Sequence, residues 1–587
     1  LTDVSFRKLK DMTTKSFKLS DFIRVRSRFG RSVNLERDFY SSAPVDGYIF
    51  TSTAATALHR LTESLTDTDG SRAWTLTGPY GSGKSTFALF TAKILSAAKN
   101  GEREAARSLL KAEAPALWHE LFDHRRVTAL GGRGFCPVLI SGSREPIDQC
   151  LLRGLRQAIR YFWSDKPSQL LNEVDALIKA TQSGEAVPGR SIVAVFERVA
   201  EKVCSSRNPG HGLLVVVDEL GKLLDYAAAH PERSDIFVLQ ELAEASRRSS
   251  SHPILFITIL HQSFDRYLEK LGRSRKEEWM KVQGRFEDIA FHEPIEEVLR
   301  ILARAIERYG SRHSIDVLKR HGRESARKAK ELKILPAWAN SEEVTSLLED
   351  CAPLHPTVSL MLGHLFRQFG QNERSLFTFL SSHEPHGFQE FLASSEWDEQ
   401  CMPSLRIDNL YDYIITTIGR GLHGQASGKK WAEIDSALHR LADATEAEVK
   451  LIKTIGLMNA IGDIGSLKPS KELLRFAVTD QKTKLKDVDR ALKKLESRSI
   501  IIYRRYRDAY SLWEGSDVDI EARLAEARRS LETDERLAEA LTRHFKPRPL
   551  VARRHSFQTG TLRYFDVRYV DLRGFDEAVA TIKKGSA

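Results

Sequence analysis

One stretch restricts the fold more than any other: residues 73–85, AWTLTGPYGSGKS. An apolar run is followed by Gly78-x-x-x-x-Gly83-Lys84-Ser85, and then by residues that put Phe87, Phe90 and Ile94 on one helical face. A strand that turns through glycines into a helix N-terminus makes a phosphate cradle. Gly78, Gly81, Ser82 and Gly83 give a turn whose backbone N–H groups can close on phosphate oxygens at the positive end of the helix. Lys84 then reaches the β- and γ-phosphates, Ser85 can hold Mg²⁺, and Thr86 completes the binding candidates. The bland alternative is a glycine-rich turn in an unrelated α/β unit.

A second run, Leu213 to Val217, ends in Asp218-Glu219. Five β-suited residues without alternation describe a central parallel strand covered on both faces. Carboxylates at its C-terminal tip lie where α/β sheets bind ligands, so Asp218 can order the Mg²⁺ shell and Glu219 can polarise an attacking water. A third strand, Pro253 to Leu260, runs into His261-Gln262. Gln262 is the preferred candidate of that pair for touching the γ-phosphate or the water. Capping of the next helix is its structural alternative.

Further on, KVQGRFEDIAF sets Arg285 before a last strand, Asp288 to Phe291. The succession of loop, acidic strand, polar-tipped strand and GRF resembles the AAA+ and STAND group of P-loop ATPases. The resemblance implies an α/β fold, a P-loop NTPase parallel sheet with a helical lid, binding ATP with Mg²⁺. It also implies that Arg285 is an arginine finger directed at a neighbouring subunit's site, with a surface salt bridge as the alternative. In this group the segment ahead of the first helix commonly packs against adenine, which nominates Tyr48 and Ile49, residues that equally suit a plain core. Two features depart from the AAA+ pattern. More than a hundred residues separate Lys84 from Asp218, room for a strand (Pro137 to Ile140) and inserted helices such as Ile147 to Phe162 and Ser191 to Val203. The lid reads Leu354-His355-Pro356 where AAA+ proteins place a sensor arginine, closer to the Pro-centred lid of STAND proteins, with Arg374 as a substitute.

A chain of 587 residues holds several folded units. The expected divisions are 1–70, an N-terminal arm and adenine-side helix; 71–293, the ATPase core with its helical insertion; 294–400, the helical lid; 401–535, a helical and winged-helix domain; and 536–587, the start of a further α/β unit, truncated. The winged helix is read from helical stretches at Glu446 to Asn459, Ser470 to Phe476 and Leu485 to Ser497, then two short strands around a turn with Arg504, Arg505 and Arg507. With Lys493, Lys494 and Arg498, these cations can hold DNA phosphates. The same fold in signalling ATPases clamps the nucleotide domain or binds protein. Residues 320–333 carry a basic run that reads as a phosphate contact or as a solvated helix face. Residues 562–570 alternate like a strand and 575–582 follow as a helix.

A net charge of +10 suits an anionic partner but also simple solubility. Five cysteines without a CxxC pair point to a reducing, cytoplasmic setting, and no apolar run approaches the ~18 residues of a membrane span. His383 and His386 lack companion ligands and read as surface residues. The absence of an initial Met suggests a piece of a longer protein. The segments GPYGSGKST, VVVDELGKLLD, QGRFEDI, QNERSLF and WEGSDVDI also resemble the large ATPases of bacterial anti-phage defence systems of the BREX type, which implies a partner effector protein. The expectation is a homo-oligomeric ATPase acting as switch or motor on a partner or on DNA. The alternatives are a nucleotide-bound scaffold and a replication-initiator-like DNA binder.

Overall fold

Uninterrupted apolar runs need cover on both faces, and they receive it. The computed structural model describes residues 17–26, 33–40, 48–66, 70–96, 101–122, 133–164, 168–205, 209–248, 251–268, 273–291, 295–336, 340–369, 376–397, 402–419, 428–441, 443–462, 466–513, 524, 526, 537–552, 555, 563–571 and 574–584. Strands β1 (Ala73–Thr77), β2 (Cys136–Ser141), β3 (Leu213–Asp218), β4 (Ile254–Leu260) and β5 (Glu287–Ala290) form a parallel sheet in the order β2-β3-β4-β1-β5. Along β3, Leu214 and Val216 enter one core, while Leu213, Val215 and Val217 enter the other. The first core is closed by α1 (Ser52–Thr66) and α2 (Lys84–Leu95), the helix that follows the glycine loop. The second is closed by α3 (Ile147–Trp163), α4 (Gly189–Ser205), α5 (Leu220–Ala229) and α6 (Phe237–Arg248).

The long insertion contains the expected strand and two helices. It also contains helices the sequence reading did not separate: Glu102–Glu113, Pro115–Phe122 and Gln169–Gln182. Ser168 caps the last of these by accepting from the Leu171 N–H at 3.1 Å.

The lid comprises α7 (Ile295–Ala305), α8 (Arg312–Glu331), α9 (Ser341–Asp350) and α10 (Pro356–Phe369). Most cations of the basic run on α8 are committed locally: Arg323 to Glu349, Arg327 and Lys328 to Glu331, and Lys330 to Glu342. That is a solvated helix face. The N-terminal arm pairs with the lid region, Ile23–Val25 antiparallel to Ile306–Arg308 and Phe17–Lys18 antiparallel to Glu396–Trp397.

After α11 (Ile407–Ile418), the winged helix is built from α12 (Glu446–Ile461), α13 (Lys471–Val478), α14 (Leu485–Ser497) and the hairpin β6 (Ile501–Arg504) and β7 (Ala509–Leu512). Thr445 and Glu448 form a reciprocal capping box at the start of α12, as Thr-x-x-Glu ahead of an apolar stretch prescribes. Lid and winged helix share one hydrophobic core.

The chain divides into two compact units, Leu1–Trp513 and Glu514–Ala587. In the second, Leu550–Val551 pairs antiparallel with Tyr564–Phe565, and a helix follows at Phe575–Lys584. Of the alternating run of residues 562–570, the described part, 563–570, yields a strand of only two residues, and residue 562 lies outside the described residues. Both strands are exposed on each face, so the alternation has no core to seat it. Among the described residues, no helix is long and apolar enough to cross a membrane.

Candidate functional site

The glycine loop lies at the C-terminal end of β1, between β4 and β5. Its backbone needs its glycines. Gly81 and Gly83 have φ of 74° and 86°, and a Cβ at Gly78 would stand 2.4 Å from the Phe291 carbonyl oxygen. Gly83 opens α2 with no side-chain cap, which leaves the first N–H groups of the helix to the loop's interior.

Lys84 is 3% exposed. Its Nζ donates to the carbonyl oxygens of Gly78 (2.6 Å) and Pro79 (2.7 Å) and to Ser82 Oγ (3.2 Å). Burial lowers its pKa to about 8, against a smaller opposing effect of the Asp218 charge.

Asp218 closes β3 and is buried. One carboxylate oxygen accepts from the Glu219 N–H at 2.8 Å, and the side chain is hydrogen-bonded to Ser85. Burial nevertheless raises its pKa, and the Ser85 and Glu219 hydrogen bonds only partly offset this. The loop and the acidic strand end therefore meet. A serine hydroxyl and a carboxylate, both hard oxygen donors, stand in direct contact beside a buried ammonium.

Glu219 turns the chain from β3 into α5 with φ of 54°, a left-handed conformation unusual for a residue with a side chain. Its carboxylate is ion-paired with Lys222 one helical turn on. Gly142, just beyond β2, donates its N–H to the Asp218 carbonyl at 2.8 Å, and a Cβ there would meet the Glu219 carbonyl at 2.7 Å. The tips of β2 and β3 are thereby locked together.

At the tip of β4 the two polar residues part ways. Gln262 is hydrogen-bonded through its side chain to Tyr267, whose ring lies against Gly221 so closely that a Cβ there would be 2.1 Å from the hydroxyl. His261 stacks on Tyr80 of the glycine loop, with ring centroids 3.5 Å apart and planes 18° apart. Burial, then the charges of Lys84 and Lys222, lower its pKa to about 3.

Arg285 sits just before β5, whose Glu287 is in register with Trp74 at the start of β1. The loop leaves from the other end of that strand, a sheet length of ~13 Å away. Within one chain Arg285 is thus far from Lys84, and its guanidinium pairs with Glu244 of α6 at 3.0 Å. Tyr48 is half-buried against Phe90 of α2, with ring centroids 4.6 Å apart, and close to Phe50. Ile49 is half-buried beside it. Thr86 follows Ser85 in the first turn of α2. Arg374 lies outside the described residues, as do residues 41–47 and 514–520.

In the lid, His355 is buried and turned toward the winged helix. Its Nδ1 lies 2.7 Å from Thr357 Oγ1 and its ring 4.3 Å from that of Phe476 on α13. Arg406 donates to the carbonyls of Phe476 (3.0 Å) and Ala477 (2.8 Å), and Lys453 of α12 pairs with Asp412 of α11 at 2.6 Å. Sequence reasoning missed Tyr80 and Lys222. Lys222 had a usable signal, the i,i+3 spacing from an acidic residue at a helix start. Tyr80 had none.

No family model matches the chain, and no curated protein does. Among solved structures, the Aeropyrum pernix ORC2 protein in ADPNP–ADP complexes aligns with 84% of this chain and 98% of its own, at 14% identity and a TM-score of 0.29. The ADP form of the same protein aligns with 85% and 99%, at 12% identity and a TM-score of 0.29. Overlap at that level carries no weight for the fold, which rests on features of this chain alone: a parallel α/β sheet, a strand–glycine loop–helix unit at its centre, and an acidic strand end hydrogen-bonded to that loop.

Proposed function

We propose that this chain is an Mg²⁺-dependent ATPase of the AAA+/STAND type, an oligomeric switch or motor that passes nucleotide state through lid and winged helix to a partner protein or DNA. The observation that carries the reading is the contact of Ser85 with Asp218 beside buried Lys84. These donors fit Mg²⁺, because a carboxyl that burial holds protonation-prone becomes a stable carboxylate once a cation lies against it. Ser85 and Asp218 would hold the ion, which would supply positive charge against the charge that develops on the phosphoryl oxygens.

Lys84 leaves the Gly78 and Pro79 carbonyls for the phosphates, while Gly78, Gly81, Ser82, Gly83 and Thr86 line the cradle. Glu219, once released from Lys222, polarises the attacking water, and Gln262 is placed at the neighbouring strand tip. Arg285 of one copy leaves Glu244 to complete the site of the next. Tyr48 and Ile49 border the base. The finer assignment, to bacterial anti-phage defence of the BREX type in the cytoplasm with a partner effector, is supported by the sequence segments quoted above.

A second reading, a nucleotide-bound scaffold with negligible hydrolysis, is favoured by one observation, the ion pair that holds Glu219 to Lys222. Equilibrium nucleotide binding and steady-state hydrolysis, each with and without duplex DNA, separate the two. The ATPase reading expects Lys84→Ala to lose binding, and Glu219→Gln to keep binding but stop turnover. If both variants hydrolyse ATP like the parent, the reading fails. A parent that binds without turnover under every condition selects the scaffold.

A further inference from the structure

We propose that the second unit, Glu514–Ala587, binds single-stranded nucleic acid on the hairpin of Leu550–Val551 and Tyr564–Phe565, stacking bases on its exposed rings and pairing phosphates with the cations beside them. The inference uses no residue of the nucleotide site, and it narrows the partner named above. What the unit leaves uncovered is the first argument. None of its described residues is buried, and Phe545, Tyr564 and Phe565 are 67%, 56% and 61% exposed. Rings gathered in water around one small hairpin mark a surface that a partner covers.

The second argument is arrangement. Register sets Phe565 opposite Leu550 and Tyr564 opposite Val551, so the two rings take opposite faces of the hairpin. The ladder continues one residue further, the Ala552 N–H donating to the Arg563 carbonyl at 2.8 Å. Arg563 therefore shares the face of Phe565, one ~7 Å repeat along the strand. Arg548, also exposed, lies two residues before Leu550, toward the other end of the hairpin. A base lying on the Phe565 ring thus has a cation to either side for its flanking phosphates.

The third argument is charge. Between Arg543 and Asp571 the sequence holds seven Lys and Arg against two Asp, a surplus that is half the chain's net charge of +10. The partner that suits this surface is an anion. A second copy would set like charges against each other, and a lipid surface could cover only one of the two aromatic faces. An acidic protein answers the cations alone. A single strand answers cations and rings together, because every base presents a flat π-face beside its phosphate.

The test titrates the full chain with labelled oligothymidylate at several salt concentrations. Phe565→Ala is expected to weaken binding about tenfold at every concentration, the scale of one lost base–aromatic stack, and Phe565→Trp to restore it. Arg548→Ala should instead flatten the dependence of log affinity on log salt by about 0.7, one phosphate contact on a single strand. Both side chains are exposed, so nucleotide affinity and thermal unfolding should match the parent's and certify the fold. A parent that ignores oligothymidylate, or a Phe565→Ala variant that binds it like the parent, overturns the proposal. Polyglutamate that displaces the label as well as unlabelled oligothymidylate does would mark an acidic-protein surface and overturn it too. So would Phe565→Ala assemblies smaller than the parent's in sedimentation without oligonucleotide, which assign the patch to self-association. Each of these outcomes leaves the nucleotide reading as it stands.

Discussion

Lys84 sits inside its own loop, bonded to two carbonyls that a nucleotide would have to displace. Lys84→Ala removes the buried ammonium at the centre of the cradle, and triphosphate affinity should fall at least about tenfold in a titration with labelled nucleotide. Glu219→Gln keeps the shape of the side chain but not its basicity. Turnover should fall about 10²- to 10⁴-fold with affinity preserved, which single-turnover assays resolve. Acid should act through the buried histidines. His355 has its proton affinity pushed well below the ordinary 6.5, by burial and then by Arg406, and His261 is lowered too. Below pH ~6.5 the unfolded chain binds protons that the folded chain refuses, so stability is whole above that pH and declines as pH falls, by at most about 1.4 kcal/mol per unit for each group. Thermal unfolding of His355→Asn should show a shallower decline between about pH 7 and pH 5 than the parent; equal slopes would exclude His355 as a source.

The loop glycines, Lys84, Ser85 and Asp218 were legible because local chain geometry fixes each of them. The stack of Tyr80 on His261 was not, because it joins a loop residue to one beyond the end of another strand, far apart in sequence.

At the scale of elements, the reading succeeded where a strand is buried on both faces or a helix carries its own cap. β3 and β4 were apparent from unbroken apolar runs, and α12 from its helical stretch, which the structure shows starting at a capping box. It failed where periodicity has no partner to confirm it. The run of residues 562–570 alternates well, yet its described part, 563–570, forms a two-residue strand with both faces exposed. The winged-helix hairpin carries a sharper prediction. Tyr506 at its turn is 74% exposed, touched by Arg504 through a 3.2 Å hydrogen bond and by Arg507 over its ring. If this tip meets DNA phosphates, Arg505→Ala and Arg507→Ala should each lower affinity for any duplex sequence and reduce the salt slope by about one. A slope identical to the parent's would remove the wing from the interface. The same domain is tied to the lid through the ring contact of His355 with Phe476 and to the connecting helix α11 through Arg406 and Lys453, so movement of one is resisted by the other.

For the whole molecule, the position of Arg285 decides what an assembly can look like. Exchanging its exposed pair with Glu244 for alanine should change the stability of the isolated chain by no more than about 1 kcal/mol. Hydrolysis by Arg285→Ala should nonetheless collapse by about 10³-fold or more if neighbours share sites, and mixing with Glu219→Gln should recover activity. No recovery would mean that each copy works alone. The arginine and the glycine loop occupy opposite ends of one sheet, so if copies share sites head to tail, the arginine end of one faces the loop end of the next, and the contact either closes into a ring or runs on as an open spiral. In a spiral the last member keeps an uncompleted pocket, which makes that terminus the natural place for growth to be arrested or a foreign subunit to dock.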